Sequence, residues 1–344
     1  MTPRVTVFLG PDHDLYHTTL LLSGLCALHD RGTIELTYRQ PRGPDHWLGA
    51  DPIVVCLDVE KGARTRIAVD LRDGEGLSRP ILDRVDRYFK RAFFPPELEP
   101  LTPPLASRVV PFGLNFGIRN RSSTIRLLRA LGWTLARRGG AGLRRLRQFV
   151  WTPGPAAFEQ TPETHVEPKV SFQTRLWTKA EVGGDDVDAL NDGRVAMVRA
   201  LKKALGERFV GGLMPTPLAL AQYPADVSPH SAKYAEYLAQ KKRCLISVYT
   251  RGVEHSLAFK LGETLAASQC LVAVPLRYRL PEPLVAGTHY LPFETPDQCI
   301  AACERLLQSP ALAEAMRSAN HAYYVAEVEP AAHVAKILAP FIGA

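Results

Sequence analysis

The stretch that decides the fold is Thr250-Arg-Gly-Val-Glu-His-Ser-Leu-Ala-Phe-Lys-Leu-Gly-Glu263, which continues as Thr264-Leu-Ala-Ala-Ser-Gln-Cys-Leu-Val-Ala-Val-Pro275. It follows a short apolar run, passes through a polar loop with a glycine, and then takes on a helical pattern before a second apolar run. This order predicts a strand end, a loop, a helix over residues 256–267 and a buried strand over 270–274. Strands that alternate with helices are typical of a parallel sheet covered on both faces.

The start of the predicted helix carries side chains that suit an anionic ligand. Backbone N–H groups and a partial positive charge at a helix N-terminus favour a phosphate, and Lys260 lies one turn after Ser256. Glu263 lies eight residues after His255, roughly 12 Å along the helix axis. A phosphate at the helix start and a hydroxyl-binding carboxylate two turns later match an extended nucleotide, so the sequence predicts a nucleotide-sugar site.

Length and composition indicate a soluble protein of two domains. The chain has 344 residues, of which 46% are hydrophobic and 22% charged, as in ordinary globular proteins. We expect no membrane span, since no run of 18 apolar residues occurs, and no signal peptide, so a reducing cytoplasm fits best. Cys299 and Cys303 lie on a predicted helix without a nearby His, which favours two core thiols over a metal site.

The net charge of +7 is concentrated in one segment, residues 108–147. Between Glu99 and Glu159 there is no acidic residue and no lysine. This segment fits three interpretations: a solvated or domain-packing face, a surface for anionic lipid with Leu and Trp inserted, or a nucleic-acid site, which the lack of a recognition fold disfavours. The candidates for a membrane or acceptor patch are Arg137, Arg138, Arg144 and Arg145. The ten arginines are Arg108, Arg119, Arg121, Arg126, Arg129, Arg137, Arg138, Arg144, Arg145 and Arg147.

The alternation of strands and helices predicts two α/β halves. The boundaries are 1–165 for an N-terminal, acceptor-side domain, 166–327 for a nucleotide-sugar-binding domain, and 328–344 for a terminal helix that packs back on the first domain. In the first half we expect strands over 5–9, 34–38, 53–57 and 66–71 and helices over 18–28 and 81–90. Because ligands of parallel sheets bind beyond the carboxyl ends of the strands, loops 10–17 and 250–256 would face one interdomain cleft.

The second half resembles the C-terminal domain of GT-B glycosyltransferases, in particular bacterial family-one-like or CgeB-like transferase domains. The resemblance rests on Tyr249-Thr-Arg-Gly252, His255-Ser256, Lys260-Leu-Gly-Glu263, Leu280-Pro-Glu-Pro-Leu and Tyr290-Leu-Pro-Phe and covers about residues 169–335. It implies an α/β fold with two Rossmann-like domains facing a cleft. The first half matches that family in pattern only.

The resemblance also implies roles for individual residues. It assigns Glu263 to the donor ribose and the helix start to the diphosphate, which would involve Thr250, Gly252, His255 and Ser256. The cations that clamp the phosphates would be Arg175 and Lys260, with Lys179 as a further candidate. The retaining branch of the fold carries Glu-x₇-Glu, whereas His255 holds the first position here, so retention and inversion both stay open.

Transfer of a sugar also needs a base for the acceptor hydroxyl. The loop Asp12-His13-Asp14-Leu-Tyr16-His17 follows the first predicted strand, and Asp14 and His17 are its candidates, with His255 as a third catalytic candidate. Fixed cations and N–H donors stabilise charge on a departing diphosphate, so we expect no metal and no cofactor.

The sequence therefore predicts a glycosyltransferase that moves a sugar from a nucleotide-sugar to a glycan or lipid-linked acceptor. Bacterial surface polysaccharide or glycoconjugate assembly is the expected setting, in the cytoplasm or on the inner face of the plasma membrane, with no nucleic-acid partner. A nucleotide-sugar epimerase or hydrolase, and a non-catalytic protein that binds anions or glycans, are the alternatives. The sugar, base and acceptor are not identified.

Overall fold

The computed structural model describes residues 2–343 except 11, 42, 138–143, 145, 146, 183–185, 231 and 232. The chain forms two compact units. The first comprises Met1–Pro155, Tyr278–Pro283 and Val325–Ala344, and the second comprises Ala156–Arg277 and Leu284–Tyr324. Within the described ranges, no helix has both the length and the apolar character needed to cross a lipid bilayer.

Each unit is built on one β-sheet. The first sheet has six strands in the order β2-β1-β3-β4-β5-β6, and the second has five in the order β11-β10-β9-β7-β8. The strands are β1 Arg4–Phe8, β2 Glu35–Arg39, β3 Val54–Lys61, β4 Ala63–Asp70, β5 Arg87–Lys90, β6 Val109–Pro111, β7 Glu167–Thr174, β8 Phe209–Leu213, β9 Cys244–Tyr249, β10 Cys270–Ala273 and β11 Leu291–Pro292.

Helices flank both sheets, which confirms the predicted α/β class. Single helical turns occur at Arg79–Leu82, Pro103–Ala106, Pro155–Phe158 and Lys179–Val182. The longer helices are α1 Thr19–Asp30, α2 Arg121–Arg137, α3 Val187–Leu205, α4 Pro217–Gln222, α5 Tyr234–Lys242, α6 Lys260–Ala266, α7 Pro296–Gln308, α8 Pro310–Tyr323 and α9 Pro330–Ile342.

The first sheet is mixed, so the expectation of a parallel sheet is wrong for this unit. β3 pairs antiparallel with both β1 and β4. β3 and β4 form a hairpin in which Lys61 pairs with Ala63 around Gly62, whose φ is 82°. Two adjacent parallel strands need a connection of about a dozen residues between them. A connection of one glycine with positive φ can join only antiparallel strands.

The segment 81–90 is also different from the prediction of a helix. Only Arg79–Leu82 is helical, and Arg87–Lys90 forms β5, which pairs in parallel with β4 and β6. Tyr88 is completely buried there. Burial between two neighbouring strands outweighs the weak local preference for helix.

The C-terminal helix α9 belongs to the first unit, where it packs on α1 and β3. The two helices approach closely at Gly24, where an added Cβ would lie 2.1 Å from the carbonyl oxygen of Pro330. Glycine is therefore required at this crossing. α2 packs on α1 and β2.

The second sheet is parallel throughout, as predicted. One face packs on α3 and α7 through an apolar core that includes the completely buried thiols of Cys299 and Cys303, which confirms their prediction as core residues. The opposite face carries Ser171, Gln173 and Ser247 beneath α5 and α6. Alternate residues of one strand point to opposite faces, so β7 and β9 present an apolar side and a polar side.

Candidate functional site

The loop after β9 differs from its predicted form. Residues 253–255 form a 3₁₀ turn, and α6 begins at Lys260 rather than at residue 256. The predicted helix start at Ser256 is therefore wrong. With seven residues, of which only Lys260 is not buried, α6 is a short internal helix.

The same loop holds a strained turn. Glu254 and His255 have φ angles of 53° and 58°, and such left-handed non-glycine residues cost about 1–3 kcal/mol each. The turn is closed by hydrogen bonds from Gly252 N to Ser256 O (3.2 Å) and from Ser256 N to Val253 O (2.9 Å). Strain of this kind is concentrated at functional sites, which supports a ligand-binding role for residues 250–256.

Glu263 lies in the interior instead of at a surface open to a ribose. Its side chain is 4% exposed. One carboxylate oxygen accepts a hydrogen bond from Tyr234 Oη (2.7 Å), and the other lies 3.2 Å from Nζ of Lys241, which is 3% exposed. Burial lowers the pKa of Lys241, although the Glu263 charge opposes that change.

Lys260 also turns inward. Its Nζ donates to the carbonyl oxygen of Gln173 at the end of β7. Burial, and then the nearby charge of Arg194, lowers the pKa of Lys260 to about 7. Lys260, Lys241, Gln173, Ser171, Ser247 and Tyr237 line a cavity of about 10 Å³, which has room for about one water molecule. The cavity cannot hold a nucleotide, and the ribose role of Glu263 stays a prediction.

Lys241 and Tyr234 were not among the predicted site residues, although the sequence carries a signal for them. Tyr234, Leu238 and Lys241 lie at i, i+4 and i+7 on α5, the spacing of one helical face. Leu238 is buried, so the face points inward. The lysine on that face therefore needed an acidic partner in the interior.

A third residue that was not predicted, Arg194 of α3, connects two loops at the carboxyl edge of the sheet. Its Nη1 donates to the carbonyl oxygen of Arg175 (2.6 Å), directly after β7, and its Nη2 donates to that of Arg251 (3.1 Å), after β9. Arg194 is 8% exposed. Burial, followed by repulsion from Arg251, lowers the pKa of Arg194 to about 10. Arg194, Val198 and Leu201 lie at i, i+4 and i+7 on the buried face of α3, so the same spacing indicates that this arginine is buried but does not identify its partners.

The predicted phosphate ligands Arg175 and Lys179 lie at the surface near β7. The side chain of Arg175 is 39% exposed, and its guanidinium group pairs with Glu181 and stacks on Trp177 at 4.0 Å from the ring centroid. Lys179 pairs with Asp188 at 2.7 Å. Because Arg194 donates to the carbonyl oxygens of both Arg175 and Arg251, Arg175 lies beside the loop Thr250–Ser256. Lys179 instead forms an ion pair at the surface.

In the first unit, the structure brings the predicted catalytic pair together. Nδ1 of His17 lies 2.7 Å from Oδ2 of Asp14, whose Oδ1 accepts from the backbone N–H groups of Tyr16 and His17. Burial raises the pKa of Asp14, but the hydrogen bond and the charge of His17 outweigh it, so the pKa of this carboxyl is lowered. Asn115 donates to the carbonyl oxygen of His17 at 2.8 Å. An ionised carboxylate on Nδ1 orients the imidazole so that Nε2 can act as a base.

The basic segment exposes apolar side chains together with its charges. On α2, Ile125 is 47% exposed and Leu128 is 38% exposed, on the same face as the exposed Arg121 and Arg129. Trp151 is 67% exposed, and the guanidinium group of Arg147 stacks on it at 3.8 Å. Of the predicted patch, Arg137 ends α2, Arg144 is exposed, and Arg138 and Arg145 lie outside the described residues.

Within the described parts of the chain, no group of three or more His, Cys, Asp or Glu side chains could hold a metal ion. Residues 194–339 match the sequence profile of a glycosyl transferase-like family. The second half of the chain is similar to glycosyl transferase-like domains over these residues. The resemblance predicted from the sequence is thereby confirmed for this part, which includes Arg194, the loop after β9 and α6.

Solved structures with a similar chain course have low sequence identity. The C-terminal domain of a group 1 glycosyl transferase (LpcC) from Francisella tularensis is 12% identical, with 50% of this chain and 96% of that chain covered and a TM-score of 0.34. A glycosyltransferase from Rickettsia africae is 11% identical, with coverage of 93% and 79% and a TM-score of 0.39. A putative UDP-N-acetylglucosamine 2-epimerase from Listeria monocytogenes is 11% identical, with coverage of 100% and 98% and a TM-score of 0.46. A search of curated proteins finds no match.

Proposed function

We propose that this protein is a glycosyltransferase that moves a sugar from a nucleotide-sugar donor to a hydroxyl group of a glycan or lipid-linked acceptor. The observation that carries the proposal is the glycosyl transferase-like match over residues 194–339. The matched region includes the strained loop 250–256. It also includes Arg194, whose hydrogen bonds connect this loop to the residue that follows β7. Bacterial surface polysaccharide or glycoconjugate assembly is the setting that we propose for it.

The donor diphosphate would bind at the carboxyl edge of the second sheet. The guanidinium group of the buried Arg194 lies at this edge, where it donates to the backbone carbonyl oxygens of Arg175 and Arg251. When the bond between the anomeric carbon and the phosphate oxygen breaks, its electron pair leaves with the diphosphate. Fixed cations stabilise that charge more strongly in a partly desolvated site than in water.

We assign the acceptor base to His17, oriented by Asp14. In this step Nε2 of His17 takes the proton of the acceptor hydroxyl while the oxygen bonds to the anomeric carbon. The 2.7 Å contact to Asp14 stabilises the resulting imidazolium. General bases of this kind contribute about 10²–10⁴-fold to a rate. His255 stays a candidate for contact with the donor, since it lies in the strained turn.

Calorimetry with uridine, guanosine and cytidine diphosphates tests the donor site. We expect wild-type protein to bind one of them, and Arg251→Gln to bind it at least about tenfold more weakly, the loss of one charged contact. Arg208→Gln is the matched control, because this exposed arginine precedes β8 at the opposite, amino edge of the sheet. Equal affinities of wild type and Arg251→Gln would remove this edge from the donor site.

Release of the nucleoside diphosphate from its sugar conjugates, with and without an acceptor panel, tests the reaction. A transferase needs the acceptor, a hydrolase does not, and an epimerase isomerises the sugar without release. His17→Gln should reduce kcat by about 10²-fold or more while donor affinity is retained. Retained kcat in this variant would overturn the assignment of the base.

We further propose that the basic segment 108–147 contacts anionic lipid at the acceptor side. Support comes from its lack of acidic residues and from Ile125, Leu128 and Trp151, which are exposed beside arginines. Each arginine near an anionic membrane contributes about 1 kcal/mol. Replacing Arg137, Arg138, Arg144 and Arg145 by Ser should reduce sedimentation with phosphatidylglycerol liposomes. Absence of wild-type sedimentation would overturn this proposal and leave the donor-site proposal intact.

A further inference from the structure

The two loops at the carboxyl edge of the second sheet are held by one guanidinium group. β7 and β9 are neighbours in the sheet, so the loops that follow them start side by side. Arg194 reaches both from α3, with its two terminal nitrogens on the carbonyl oxygens of Arg175 and Arg251. Both contacts are to backbone atoms, so Arg194 fixes the paths of the loops without using their side chains.

The charge of Arg194 is not balanced within the part of the protein that the structure describes. Its side chain is more than nine-tenths buried, its Nε is buried without a hydrogen-bond partner, and no carboxylate acts on it. Burial and then repulsion from Arg251 lower the pKa of Arg194, and burial and then the charge of Arg194 lower the pKa of Lys260. A buried charge without a counter-charge is costly, so an anion bound at this edge would relieve it.

The arginines of the loops themselves are oriented by surface carboxylates. Arg175 pairs with Glu181, and Arg251 pairs with Asp186 at 2.6 Å. Asn191 lies one turn before Arg194 on α3. Its side-chain amide accepts a hydrogen bond from the backbone N–H of Trp177 and donates one to the carbonyl oxygen of Trp177. Removal of the Arg194 guanidinium would therefore release the carbonyl groups of Arg175 and Arg251 while these neighbouring contacts are kept.

We propose that Arg194 is a positioning residue that clamps the loops after β7 and β9 in the arrangement that receives the donor diphosphate, and that the bound diphosphate in turn stabilises the clamp. The inference rests on the proposed function for its ligand, but the clamp itself is a property of the protein alone. Linkage requires the effect to be reciprocal: a clamp that improves ligand binding is strengthened by the ligand to the same extent.

Hydrogen exchange of the wild type, Arg194→Met and Arg194→Lys tests the clamp without any ligand. We expect Arg194→Met to exchange at least about tenfold faster in peptides that cover residues 175–178 and 250–256, because the clamped state loses both contacts. Arg194→Lys should lie between the two, since one ammonium group keeps the charge but not the planar fork. The matched control is Lys203→Met, which removes an exposed cation on the same helix.

The ligand arm uses the nucleoside diphosphate that the wild type binds. We expect it to slow exchange in both loops of the wild type, and Arg194→Met to raise the donor KM about tenfold or more with kcat changed by less than about threefold. A merely structural role would lower the amount of folded enzyme and leave KM unchanged.

The outcomes separate the two proposals. If both loops of Arg194→Met exchange at the same rates as in the wild type, the clamp is overturned, whatever the protein binds. Faster exchange with unchanged ligand affinity overturns the positioning role. If no nucleoside diphosphate binds to the wild type, the proposed function fails, while the comparison without ligand still decides whether Arg194 clamps the loops.

Discussion

Replacing Glu263 by Gln would leave the ammonium group of Lys241 buried beside a neutral amide. The two side chains are 4% and 3% exposed, and their charged atoms are 3.2 Å apart. Glutamine can still accept the hydrogen bond from Tyr234, so the main effect of the change is to remove the charge that pairs with Lys241. Breaking a buried ion pair by removing one partner costs about 3–5 kcal/mol, since the remaining charge stays desolvated. We expect this loss in the free energy of unfolding.

Urea unfolding measures this effect as a shift of the midpoint at constant slope. Glu304→Gln on the exposed side of α7 is the matched control and should change stability by less than about 0.5 kcal/mol. The double variant Lys241→Met/Glu263→Gln should regain most of the loss, because no buried charge is left, and the cycle then gives the coupling energy of the pair.

A loss below about 1 kcal/mol in Glu263→Gln would refute the buried ion pair. The same variant also decides the ribose role predicted from the sequence. Unchanged affinity for the nucleoside diphosphate that the wild type binds would remove Glu263 from the donor site. A tenfold weaker affinity, measured on folded protein, would mean that Glu263 leaves its interior partners to reach the ligand.

Three further predictions concern groups whose protonation or backbone is constrained by burial. The pKa of Lys260 is lowered to about 7 from 10.5, so the unfolded chain binds the extra proton and wild-type stability should rise between these pH values by at most about 5 kcal/mol. Lys260→Met should flatten this rise in urea midpoints, and an unchanged pH profile would contradict the burial of its ammonium group. Burial lowers the pKa of His333 to about 4 from 6.5, so stability should be lost as the pH falls through this window, by at most about 3 kcal/mol. His333→Leu should abolish that loss in thermal unfolding, and an equally acid-sensitive variant would refute it. Gly211 has a φ of 144°, and an added Cβ would lie 2.0 Å from the carbonyl oxygen of Phe172, so Gly211→Ala should destabilise by about 2 kcal/mol or more. The control Gly193→Ala, in α3 with open space around it, should be neutral or stabilising by up to about 1 kcal/mol, and equal effects of the two changes would refute the strain.

Part of the fold could be predicted because local patterns specify it. β10 reads as a short apolar run after a helical segment, and the structure forms it over Cys270–Ala273, within one residue of the predicted bounds 270–274. Such runs are what strands buried on both faces require. The predicted pair of Asp14 and His17 lies within one loop. The two residues are only three positions apart in the sequence, so their contact depends on local structure alone.

The predictions that were wrong depend on pairing over longer distances. The antiparallel order of β3 in the first sheet and the strand character of Arg87–Lys90 follow from neighbouring strands. The predicted helix start at Ser256 was displaced to Lys260 by the strained turn at Glu254 and His255. In each case burial and pairing within the sheet outweighed the preference of the local segment.

The sequence by itself determined the α/β class, the parallel second sheet and the glycosyltransferase resemblance, because short-range periodicity and motif spacing encode them. Only the tertiary structure decided that Glu263 pairs with Lys241, 22 residues away, and that Arg194 holds the carbonyl group of Arg251, 57 residues away. A buried charged side chain pairs with the groups that the packed helices and strands place within about 3 Å of it. That placement follows from the arrangement of helices over the sheet, which no single segment of the chain specifies.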